Sequence, residues 1–182
     1  MNTDELKLKA VEFLTEEFNH EVPNELMLEA TFNAHPLNEQ GLSALFSFHT
    51  SEKFFVFVGN VMPMVYPDLN LSNDELWAVH IGMEYFVKAN VIEDTERKPA
   101  ALLAYLKMVG TVFQEQLYIM KPDSVKVEKV YQLENQKHVV GKATFEDKSY
   151  CWIVGDITHF VYKKDLPPQI VWALHMGRLL LA

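Results

Sequence analysis

The stretch WAVHIGM, Trp77 to Met83, returns as WALHMGR at Trp172 to Arg178, with the tryptophan, alanine, histidine and glycine in step. A second match lies upstream of each copy. FVGNV at Phe57 to Val61 lies against IVGDI at Ile153 to Ile157, an offset of 155 − 59 = 96, and Val65-Tyr66 lies against Val161-Tyr162 at the same offset. The tryptophans differ by 172 − 77 = 95, so the loop before the last helix has lost one residue. Such a duplication constrains the fold strongly, because whatever one half becomes, the other must approximate. Two copies are too few for a solenoid, which needs about three repeats to bury its faces. The expectation is a tandem pair of α+β units with antiparallel meander sheets and flanking helices, related by a pseudo-twofold axis and packed as one body. The first repeat spans residues 1–95 and the second 96–182, with the boundary in the charged stretch IEDTERKP, Ile92 to Pro99.

Periodicity gives each repeat the same order. Leu6, Ala10, Phe13, Leu14 and Phe18 recur at helical spacing and end near Pro23. LMLEATFN, GLSALFSF and KFFVFV then read as strands separated by turn-forming stretches, and VMPMVY follows with Pro63 suited to an edge or a bulge. Ser72 and Glu75 have the spacing of a capping box that starts the helix holding WAVHIGM. In the second half, KPAALLAYLKMVGTVFQEQL is a helix, VKVEKVYQLE, HVVGKATFE and KSYCWIV are strands, and DLPPQIVWALHMGRLLLA is the closing helix. Gly59-Asn60 and Gly155-Asp156 suit either a hairpin with a primed turn or a glycine bulge in one long strand. The hairpin is favoured, so each unit is α-β-β-β-(β)-α.

Charge and composition bound the function. With 49% hydrophobic residues the 182-residue chain builds a core, and it contains no apolar run near the roughly 20 residues that span a bilayer. The single cysteine, Cys151, agrees with a reducing cytoplasm and reads as a small buried hydrophobe. A net charge of −9 argues against nucleic acid as a partner. The charge is uneven: residues 1–98 hold 17 acidic and 6 basic side chains, a balance of −11, whereas residues 99–182 hold 8 and 10, a balance of +2. An acidic face for a basic partner is one consequence.

Candidate ligand- or partner-binding residues are His80, His175, Arg178, Trp77 and Trp172. Two histidines in equivalent helices can meet near the symmetry axis and hold a ligand, or each can be a buried, hydrogen-bonded core residue. Ala78 with Gly82, and Ala173 with Gly177, make a flat strip on each helix where another backbone comes close, so both glycines are expected to be buried. Arg178 stands where the first copy has Met83, either to clamp an anion or to sit near a helix C-terminus with its stem on apolar surface. Cys151 with His159 lacks an orienting acid, and there is no phosphate-cradling glycine loop or nucleophile elbow. No catalytic residue, metal site or cofactor is assigned.

The order helix, three strands, helix is shared by double-stranded RNA-binding domains, but SNDELW and DLPPQIVW stand where those domains carry lysines. The same order, with acidic charge and a duplicated arrangement, resembles the small chaperones of type III secretion. The expectation is therefore a non-enzymatic adaptor or chaperone-like protein that binds a polypeptide, a monomer with an internal pseudo-dimer or a homodimer. The alternative is a small-molecule or metal site at the interface of the repeats.

Overall fold

In the computed structural model, which describes residues 1–19, 25–33, 36, 41–59, 63–86, 89–92, 99–156 and 158–182, the duplicated α+β order is present. The first copy runs α1 (Thr3–Glu17), β1 (Leu26–Phe32), β2 (Ser43–His49), β3 (Lys53–Val58), β4 (Met64–Pro67) and α2 (Asn73–Phe86). A short β5 (Asn90–Ile92) follows. The second copy runs α3 (Pro99–Leu117), β6 (Ser124–Leu133), β7 (Gln136–Phe145), β8 (Lys148–Gly155), β9 (His159–Tyr162) and α4 (Pro168–Leu181). Both sheets are antiparallel meanders, ordered β1-β2-β3-β4 and β5-β6-β7-β8-β9. Residues Met1–Ile81 form one compact unit and Gly82–Leu180 a second, so the division falls within α2. Of the stretch Ile92 to Pro99, residues 93–98 lie outside the described residues.

In the first unit the helix starts are set by reciprocal caps. Asn2 accepts from the Glu5 amide while the Glu5 carboxylate accepts from the Asn2 amide, and Ser72 with Glu75 makes the expected second box. Leu6, Ala10 and Leu14 of α1 cover one face of the sheet, against Leu26, Phe46, Phe48, Val56 and Val58. The other face meets α2, where Trp77 stacks on Phe32 and Phe57 at ring separations of 4.8 and 5.0 Å. Burial on both faces is why SALFSFH does not alternate polar with apolar.

The second unit repeats the scheme. Val109, Val112 and Phe113 of α3 cover Val139, Tyr150, Trp152, Val154 and Val161, and α4 covers the opposite face, with Trp172 beside Tyr131 and His138.

Strand register reveals equivalences that the offset of 96 conceals. In the first unit Leu28 pairs with Phe46 and the next pair is Ala30 with Leu45; in the second Val127 pairs with Gly141 and the next pair is Lys129 with Val140. Both bulges thus fall on a glutamate, Glu29 and Glu128, at 128 − 29 = 99, while Phe46 matches Gly141 at 141 − 46 = 95. The drift arises between the first two strands: Phe32 pairs with Ser43, 43 − 32 = 11 residues on, whereas the equivalent Tyr131 pairs with His138, 138 − 131 = 7 on. Three residues, 50–52, join β2 to β3, whereas Glu146-Asp147 join β7 to β8 as a primed turn with both φ positive, at 47° and 59°. The matched cross-strand pairs exchange bulk: Phe46 faces Val56 in the first unit, and Gly141 faces Trp152 in the second. A Cβ on Gly141 would collide with the Trp152 indole and the Lys126 carbonyl, so the glycine is the space the tryptophan fills.

β3 pairs with β4 and β8 with β9, so the connections are hairpins, but their glycines serve another purpose than a primed turn. No described glycine has positive φ. A side chain at Gly59 would strike Ser43 and one at Gly155 would strike His138, and these two targets are themselves equivalent, at 138 − 43 = 95. Asn60 lies outside the described residues.

Gly82 and Gly177 are buried, as the small-residue strips require. A Cβ on Gly82 would run into the Ala173 backbone, both residues belonging to the second unit. Gly110, in α3, has nothing within 4 Å of its missing Cβ. Gly110→Ala is therefore expected to raise the unfolding free energy by about 0.5–1 kcal/mol through helix propensity. Gly82→Ala should lower it by about 1–3 kcal/mol despite the same propensity gain, because the backbones must part. Urea unfolding of the two variants checks the opposite signs.

Candidate functional site

The repeated histidine has the same hydrogen bond in both units. His80 is fully buried, and its Nδ1 lies 3.1 Å from the Tyr66 hydroxyl, with the ring stacked 4.3 Å from Phe57 and 6.0 Å from Trp77. His175 is buried too, its Nδ1 3.3 Å from the Tyr162 hydroxyl. The tyrosines are equivalent residues of the last strand in each meander, β4 and β9. Burying an imidazole is costly unless its nitrogens are bonded. The duplicated tyrosine meets that requirement, so the pair was duplicated as a unit.

The copies differ around this pair. In the second, Thr158 Oγ1 lies 2.6 Å from His175 Nε2, so both ring nitrogens are engaged. Arg178, in the last turn of α4, spreads its guanidinium over Tyr162 and Phe160, 5.2 and 5.8 Å from the ring centroids. The first copy has Met83 in place of Arg178 and Met64 in place of Phe160, and there the Tyr66 hydroxyl donates to Met64 Sδ at 3.0 Å. At these two positions the first copy has methionines and the second a cation over an aromatic ring. Burial, followed by the positive neighbourhood of His138, Arg178 and His159, holds the His175 imidazole down at about 4 against an ordinary 6.5. It is neutral at pH 7.

Of the residues singled out by sequence, Trp77 and His80 come together in the first unit, and His175 with Arg178 share Tyr162 and Phe160 in the second. Trp172 is fully buried, and neither its Nε1 nor the Nδ1 of neighbouring His138 has a hydrogen-bond partner among the described residues. Cys151 is buried with its sulfur between the amide and carbonyl of Leu166, and burial pushes its thiol up, away from a nucleophile's range. His159 lies instead at the exposed sheet edge, 3.8 Å from Glu115. Among the described residues no group of three or more histidine, cysteine or carboxylate side chains is placed to hold a metal ion.

Sequence reasoning allowed for an exposed strand edge without identifying which one. In the second unit β9 is closed by a side chain: Gln116 accepts from the Val161 amide at 3.1 Å and donates to the His159 carbonyl at 3.4 Å. The opposite edge, β6, is covered by β5. In the first unit β1 pairs only with β2 among the described residues, and its Met27 and Leu28 are 51% and 43% exposed. The sequence signal was present in the two adjacent apolar residues of LMLEATFN, which strict alternation would not place together on a half-buried strand.

No known protein family, curated protein or solved structure matches this chain.

Two measurements test the histidine environment. Tyr66→Phe and Tyr162→Phe should each cost about 1–2 kcal/mol by removing a buried partner. Because the folded His175 binds its proton less readily than the unfolded one, its contribution is fully present above about pH 6.5 and is lost as pH falls towards about 4, a change of about 3 kcal/mol. His138, held low by burial, acts in the same direction. Denaturant unfolding across that window should show the fall in wild type and a flatter profile in His175→Gln.

Proposed function

We propose that this is a non-enzymatic, cytoplasmic adaptor or chaperone-like protein that binds an extended polypeptide. The observation that carries the reading is β1: a seven-residue edge strand, paired on one side among the described residues, with two large apolar side chains exposed in sequence. An edge of this kind is a template for strand addition, and proteins that do not use it usually cover or charge it. The histidines fit the same reading as structural elements, since the partners described for His80 lie in the first unit and those for His175 in the second.

Panning a random peptide library against the immobilised protein tests this. Enriched peptides should bind wild type and lose about tenfold in affinity on Leu28→Lys, the order expected for losing an apolar anchor. Absence of any peptide binding above background would overturn the proposal.

A further inference from the structure

The second unit contains a pairing that no described residue of the first supplies. β5 pairs antiparallel with β6, setting Asn90 against Gln132, Val91 against Tyr131 and Ile92 against Val130. At the offset of 99 that aligns the two bulges, these β6 positions correspond to Thr31, Phe32 and Asn33. On β6 this short ladder begins at Val130, two residues after the bulged Glu128, where a bulge ends one register and turns the strand, and Thr31 stands equally placed after Glu29 on β1. On β6 the outer side of the ladder is filled; on β1 no described residue fills it.

We infer that the outer edge of β1, from Met27 to Asn33, accepts an antiparallel strand from a basic, apolar segment of a partner protein, which at Thr31–Asn33 takes the place that β5 occupies on β6 and continues past the bulge to Met27. This rests on the polypeptide-binding reading and adds the site, the orientation and the chemistry of the occupant. Apolarity follows from the exposed Met27 and Leu28, which give alternate side chains of an added strand something to cover on each face. Basicity follows from charge. Residues 1–81 carry 13 acidic and 3 basic side chains, and Glu25 and Glu29 bracket the exposed pair. The same charges disfavour a second copy of this chain as the occupant. Two β1 strands paired antiparallel about Met27 would set Glu25 of each opposite Glu29 of the other, and like charges directly opposed are destabilising. A lysine-bearing strand turns both positions into attraction.

The test uses the intact protein and three fluorescein-labelled peptides: Asn-Val-Ile flanked by lysines, the same core flanked by glutamates, and the lysine form with an N-methylated valine that cannot complete a ladder. Fluorescence anisotropy should find binding of the lysine peptide, weakened about tenfold by raising salt, by N-methylation, or by the paired reversal Glu25→Lys and Glu29→Lys. Hydrogen exchange should slow at Leu26–Asn33 when that peptide is bound. Equal binding of the lysine and glutamate peptides, or protection elsewhere in the chain, overturns the inference. So does a dimer in sedimentation equilibrium that Leu28→Lys dissociates. If library-selected peptides bind while ignoring β1, the polypeptide reading survives and this assignment falls; if no peptide of either origin binds, both fall.

Discussion

The central strands of each sheet are buried on both faces, and most of the structure follows from that. Six of the seven residues of β2 are buried, as are the last four of β3 and the last six of β8. A sheet in this state needs a helix on either side, which the order helix, strands, helix supplies without a long crossover. It also leaves no slack in volume, since interiors are packed about as densely as organic crystals. The exchange of Phe46 and Val56 for Gly141 and Trp152 is a response to that limit: one unit places its bulk on β2, the other on the strand opposite.

Two-sided burial sets the polar chemistry as well. An imidazole in such a layer needs a partner within reach, and in both units the last strand of the meander supplies a tyrosine hydroxyl to it. The difference between Met64 with Met83 and Phe160 with Arg178 leaves this bond intact, because it concerns the side chains around the tyrosine and not the hydroxyl. The two copies differ next to the pair and agree within it.

The copies differ most at their edges. Gln116 presents an amide to β9 as a neighbouring strand would, and β5 covers β6, whereas β1 has only one strand beside it among the described residues. Exposed edges carry a risk of unwanted pairing. The bulged Glu29 and the acidity of the first eighty residues narrow what can pair there, which is the physical basis of the proposal made for that edge.

Helix positions, the positions of every strand but β5, the Ser72–Glu75 cap and the buried glycine strip were readable from local pattern, because each depends on residues a turn or a pleat apart. The duplication was readable wherever no insertion intervened. Hidden from the sequence were the offset of 99 between β1 and β6 and of 95 between β2 and β7, the shared bulge, the purpose of Gly59 and Gly155, the tyrosine partners of the histidines, and the pairing of β5 with the second sheet. A one-residue change in turn length moves every later side chain to the other face of a strand, so equivalence across turns is defined by the hydrogen-bonded ladder alone. Sequence by itself determined that the same α+β unit occurs twice. The tertiary structure decided which side chains of each copy face one another, because contact between strands is fixed by register and clearance, and neither is a property of neighbouring residues.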